Sequence, residues 1–201
     1  MLRIFLIAAA VSASPLIAAD LPQSKDHPLL GRVGGSEIVA YDSKRFDSVA
    51  FQTSTFKEYD LEREQRVFAQ PASIVEGART TIWYEGASLS ALEIVRQYQT
   101  ALSAKGFEIL YDSSKDPAAG DFTNFLAPFS TNEPRNNRSS YVLYAASDST
   151  VRSTTLKRSG DEGETWVSII AVDWAQPDAT YKAVQGAYAA VDVIDVAGMK
   201  K

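Results

Sequence analysis

His27 is the only histidine in the chain, so any chemistry that needs an imidazole must use it. Asp26 precedes it, but neighbours in an extended segment point to opposite faces and do not form a dyad. A serine triad would also need a positioned nucleophile, and the chain has no Gly-x-Ser-x-Gly elbow. Zinc takes several nitrogen, sulfur or carboxylate ligands, and one histidine with no cysteine is a poor start. The simplest expectation is that Lys25, Asp26 and His27 pin an N-terminal arm to the domain. A pH-sensitive contact is the sharper alternative, because imidazoles change charge near neutrality.

The carboxylates offer two further chemistries. Asp112, Asp116 or Asp121 with His27 would make a hydrolase set, since paired carboxylates cleave glycosidic bonds when held at the right separation. That separation is not written in the sequence. Asp161, Glu162 and Glu164, around Gly160 and Gly163, supply the hard oxygens that calcium prefers. Their spacing departs from the EF-hand loop and reads as a solvated hairpin turn. Glu62, Arg63, Glu64 and Arg66 alternate in sign like a solvated face. Trp83, Tyr84, Trp166, Trp174, Tyr181 and Tyr188 could stack on sugar rings if exposed, but aromatic residues in strands predict core. No glycine-rich loop joins a strand to a helix as a nucleotide site requires, and nothing calls for a cofactor.

Composition narrows the class. Met1 and Arg3 lead into an apolar run, residues 4–11, followed by small residues up to Ala19. This is the layout of a secretory signal peptide (residues 1–19), with cleavage after Ala19. The run is too short to cross a bilayer as a mature helix, and no later run is long enough. Residues 20–201 then form one domain, large enough to be held by its own core. The chain has no cysteine, which excludes disulfides, thiolate sites and an acylated cysteine anchor. Export without cysteine fits a bacterial periplasm. The net charge of −5 argues against a nucleic-acid partner.

The elements that would position these groups follow from pattern. Residues 37–41 have strand composition, and 46–59 alternate apolar and polar as extended chain or hairpin. Residues 66–69 form a short strand stopped by Pro71, and 79–85 a strong one. From Ser90 to Lys105 the spacing predicts a helix. Ser90 and Glu93 form a capping box, Leu92, Val95, Tyr98 and Leu102 form the apolar stripe, and Gly106 is the terminator. That stripe should pack on Ile82, Tyr84, Phe107 and Ile109. Residues 107–111 read as a strand. Residues 141–145, 151–157 and 164–174, divided by turn signals, predict an antiparallel meander. Residues 177–190 suit helix or strand, and 190–196 form a clean strand. The fold class expected is α+β: a mostly antiparallel sheet with one main helix on one face.

Four stretches carry a family likeness. They are Ser24-Lys25-Asp26-His27-Pro28-Leu29-Leu30 followed by Arg32; Gly35-Ser36-Glu37-Ile38-Val39-Ala40-Tyr41; the helix with Tyr98 running into Lys105-Gly106-Phe107-Glu108-Ile109-Leu110; and Val191-Asp192-Val193-Ile194-Asp195-Val196 with Met199. Together they resemble domain of unknown function 4892, found in exported Gram-negative proteins, often ahead of an OmpA-like peptidoglycan-binding domain. The chain stops at Lys201, where that second domain would begin, so its wall-binding activity does not carry over. The resemblance marks Ser24, Lys25, Asp26, His27, Pro28, Leu29 and Arg32 as a motif without giving it a role. It implies an envelope location, with possible outer-membrane association. The function expected is a non-catalytic periplasmic module that binds an envelope protein, glycan or lipid. The alternatives are a carboxylate-dependent hydrolase and a structural spacer.

Overall fold

The computed structural model describes residues 20–32, 34–63, 65–117, 151–175, 180 and 185–197. The leader at 1–19, Asp121, the strand expected at 141–145, Tyr181 and Met199 lie outside the described residues. The chain is α+β, with every strand pairing antiparallel. The strands are β1 (Glu37–Phe51), β2 (Phe56–Asp60), β3 (Gln65–Phe68), β4 (Ser73–Ala87), β5 (Glu108–Asp112), β6 (Val151–Gly160), β7 (Gly163–Trp174) and β8 (Gly186–Ala197). Helix α1 (Ala91–Ser103) joins β4 to β5. The main sheet runs β1-β4-β8-β7-β6-β5, and β2 with β3 forms a separate hairpin. The α1 connection therefore carries the chain from β4, past β8, β7 and β6, to the far edge.

The helix begins where its cap dictates. The Glu93 amide donates to Ser90 Oγ at 3.2 Å, and Glu93 Oε2 accepts from the Ser90 amide at 2.8 Å. Asp173 on β7 accepts from the Ala91 amide at 2.6 Å and ties the first turn to the sheet. Gly106 takes φ +83°, the left-handed conformation that ends the helix. From Ala91 the buried positions run Ile94, Val95, Tyr98, Gln99 and Leu102. Leu92 is not among them: one position after Ala91 it turns outward and is 42 % exposed. Ile109 is likewise at the surface, while Ile82, Tyr84 and Phe107 join the stripe in the core as expected.

Alternation along the strands gives the sheet two buried faces. Ile82, Tyr84, Leu156, Val167, Ile169, Ala189, Val191 and Val193 lie on the helix side. Trp83, Ile170, Val172 and Tyr188 lie on the other, so these aromatics are core, as is Trp166, while Trp174 is half-buried. The second face also holds an ion-pair network, buried at Arg79 and Asp192 and partly solvated at Asp47 and Lys44. Asp192 accepts from Arg79 Nε at 2.9 Å and from Thr81 Oγ1 at 2.5 Å. Asp47 accepts from Arg79 Nη1 at 3.0 Å and from Lys44 Nζ at 2.9 Å. The network stitches β1, β4 and β8 in one register. The strand over 37–51 is continuous, longer than its two sequence fragments suggest, with a bulge between Lys44 and Asp47 that puts both Arg45 and Phe46 opposite Ala78.

Leu102 is fully buried, so Leu102→Ala should cost about 2–5 kcal/mol in chemical denaturation through the cavity it leaves. A Cβ on Gly77 would lie 2.4 Å from the Asp195 carbonyl oxygen, whereas one on Gly160 meets nothing within 4 Å. Gly77→Ala should therefore lower the denaturation midpoint sharply and Gly160→Ala hardly at all. Equal effects would contradict the β4–β8 packing.

Candidate functional site

The motif at residues 24–32 closes a set of polar ties. Arg32 reaches Asp20 Oδ2 at 2.6 Å and Asp26 Oδ1 at 3.1 Å, and hydrogen bonds to these two carboxylates raise the guanidinium pKa further above its usual value. Asp20 Oδ1 accepts from the Ile38 amide at 2.9 Å, and the Leu21 amide donates to the Ile38 carbonyl, so the arm starts against β1. Asp26 Oδ1 also accepts from the Tyr84 hydroxyl at 2.9 Å. Burial, with Tyr98 and Asp26 nearby, pushes the Tyr84 phenol upward, so it remains a donor. Leu30 enters the core, Leu29 packs on its margin, and Lys105 at the end of α1 donates to the Leu29 carbonyl. Pro28 and Lys25 point to the surface. Ser24 Oγ donates to the Leu21 carbonyl at 2.6 Å and shapes the arm's first turn.

His27 is 8 % exposed and faces a carboxylate that sequence reasoning did not single out. Its Nε2 lies 3.5 Å from Asp195 Oδ2 on β8, and its Nδ1 accepts from the Leu29 amide at 3.4 Å. These partners select the tautomer with the proton on Nε2. Thr165 Oγ1 donates to Asp195 Oδ1 at 2.8 Å. The hydrogen bond from His27, then that from Thr165, hold the Asp195 carboxyl below the usual carboxylate range despite partial burial. Asp26 and His27 thus diverge, one toward Tyr84 and the other toward β8, and pin the arm at two points.

Cross-strand register places Ala78, Asp195, Thr165 and Arg158 in one row across β4, β8, β7 and β6. The row floors a cleft of about 710 Å³. Leu29 of the arm walls one side and the Gly160–Gly163 turn walls the other. Arg158 lies over the Phe107 ring, 5.1 Å from its centroid. Asp161 and Glu162 form the exposed two-residue turn at the rim, the solvated hairpin expected from the sequence. Glu164 pairs with Lys157 at 2.6 Å and accepts from Trp166 Nε1 at 3.0 Å.

The other carboxylates serve elsewhere. Burial opposes ionisation of Asp112, but hydrogen bonds from Ser114 and Arg96 outweigh it and hold the carboxyl low. Asp116 accepts from the Phe56 amide at 2.9 Å and from the Tyr111 hydroxyl at 3.0 Å, tying the β2–β3 hairpin to the end of β5. His27 touches neither of them. Among the described residues, no three histidine or carboxylate side chains are arranged to hold a metal ion. No known protein-family model matches the chain, and no curated protein matches it.

The arm is legible in the sequence, whereas the meeting of Asp195, Thr165 and Arg158 is not. They meet only through strand register, and no short-range pattern marks them.

The pH dependence follows from these shifts. Asp195 is held low, and Lys44 followed by Arg79 holds Asp47 down to about 2 from 3.8. Both bind a proton more weakly folded than unfolded. Their contribution is complete above the unfolded value of 3.8 and is lost, for Asp47, as pH falls toward about 2. Burial pushes Asp192 the other way, against Arg79 and Thr81. Asp195→Asn should flatten the fall in urea midpoint between about pH 4 and pH 2; an unchanged profile would contradict the His27–Asp195 tie. Arg32→Met should cost about 1 kcal/mol or less, since the pair is partly solvated. Hydrogen exchange should show it freeing the Leu21 and Leu30 amides while α1 stays protected.

Proposed function

We propose that this chain is a non-catalytic module of the bacterial envelope, exported by the leader at residues 1–19, that binds an envelope partner through the cleft beside its N-terminal arm. One observation carries the reading. The side chains that could have done chemistry are used as ties, whereas the sheet face next to them lies open. His27 has both ring nitrogens against protein groups, Asp112 is held by Arg96 and Ser114, and Asp116 by Phe56 and Tyr111. A hydrolase built from these carboxylates with His27 would have to break those contacts first. The cleft, by contrast, falls within the size range of ligand sites and combines an apolar wall with convergent polar groups. The resemblance to domain of unknown function 4892 supports an envelope location, as do the leader and the absence of cysteine. No helix among the described residues is long and apolar enough to cross a membrane, and the mild acidity favours protein or glycan over nucleic acid.

The test is site-directed photo-cross-linking in Gram-negative cells expressing the chain with its leader. A photoreactive residue at Gly160, on the rim, should give a discrete adduct, and one at Gln97, on the outer face of α1, should give none. The mature protein should begin at Asp20. Failure of every cleft position to cross-link would overturn the reading in favour of a spacer.

A further inference from the structure

We propose that the lower, helix-side end of the sheet is a docking platform for an amphipathic helix of a partner protein carrying Lys or Arg beside an apolar stripe. The proposal deepens the binding reading above and rests on it. Below the end of α1, strands β1 and β4 run on, and their outward residues alternate strictly. Ile74, Glu76 and Ala78 on β4, and Ser48 on β1, are exposed, while Val75, Gly77 and Val49 between them are buried on the other face. The face is bare on one side only, as for a sheet surface awaiting a packed layer. Ile74 is 66 % exposed and Phe46, opposite Ala78 in the bulge, 69 %; they are two of the most exposed large apolar side chains among the described residues. An exposed apolar pair on a sheet face, continuous with a cleft, marks an interaction surface.

Charge selects the occupant. Glu76 on the platform and Asp161 and Glu162 on the cleft rim are exposed and make no ion pair among the described residues. Arg158 is the one cation in the cleft lining, set over Phe107 beside Asp195, and it stands among four carboxylates, Asp161, Glu162, Glu164 and Asp195. An anionic or neutral segment gains nothing from that field, whereas a cationic one is steered in by it. The lining of the cleft includes no aromatic ring on which a sugar could stack, and its mixture of small apolar and charged side chains does not suit an acyl chain. A helix fits the remaining geometry. It would lie where α1 stops, with its apolar stripe on Ile74, Phe46 and Ala78 and its cations toward the β6–β7 turn, the helix-in-groove mode of recognition.

The experiment is an amide-shift titration of the full processed chain by nuclear magnetic resonance. The probe is a synthetic helix of Lys and Leu at amphipathic spacing, and its counterpart replaces every Lys by Glu. The proposal expects the Lys peptide to shift Ile74, Glu76 and Gly160 to Glu162. It expects binding to weaken with salt, to fall at least tenfold in Ile74→Ser and to fall about threefold in Glu162→Gln, both surface changes. Equal binding of the Glu peptide, or variants that bind like the parent, would overturn it. So would shifts at these residues that grow with protein concentration alone, which would make the occupant a second copy. A soluble peptidoglycan fragment that shifts the cleft floor at Thr165 and Asp195, with no shift from the Lys peptide, would overturn the platform while leaving the cleft reading standing.

Discussion

One helix is too short for this sheet. Helix α1 has 13 residues and spans about 20 Å, whereas β1 and β4 have 15 residues each and span about 50 Å when extended. The helix lies chiefly over β6 and β7, so the β1–β4 half of the same face needs another cover. The N-terminal arm supplies it for the upper part, with Leu30 in the cluster that holds Ile38 and Tyr84, and Leu21 and Leu29 packed on its margin. Nothing among the described residues supplies it for the lower part, where Ile74 and Phe46 remain in solvent. The core, the arm and the exposed platform all follow from that mismatch of lengths.

The arm holds because its charges converge on few atoms. The Asp26 carboxylate takes both Arg32 and the Tyr84 hydroxyl, and Asp20 takes Arg32 and a β1 amide. Exposed ion pairs contribute little singly, but here each is coupled to a buried partner: Tyr84 under the arm, Leu30 in the core. The chain has no cysteine with which to staple an arm covalently. Polar ties seated on an apolar anchor do that work. His27 with Asp195 adds a second fixed point at the far end, beside the cleft, so the arm's position and the cleft wall are one structural fact.

Local signals are legible in the sequence and long-range ones are not. The capping box at Ser90 and Glu93 and the left-handed Gly106 mark both ends of α1, because a cap is written within three or four neighbouring residues. Leu92 misleads about the stripe: once Ser90 caps the helix, the inward face starts at Ala91 and a leucine one step on must point out. Gln99 escapes notice because it is polar, yet it is buried and donates to Thr154 Oγ1 at 3.1 Å. Of the expected pins Lys25, Asp26 and His27, the last two tie the arm down, whereas Lys25 points to the surface. The cleft is invisible there, because Arg158, Thr165 and Asp195 come together only when three strands are in register, and Ala78 joins them from more than a hundred residues before Asp195.

The central claim is that the helix and the arm divide one sheet face and leave its lower end uncovered. Methyl-to-methyl Overhauser contacts in solution test it directly. The account predicts that Leu30 methyl groups contact the cluster that includes Tyr98 and Leu102, while Ile74 methyl groups contact only their own strands. Strong contacts from Ile74 to residues of any element lying over the sheet would contradict it.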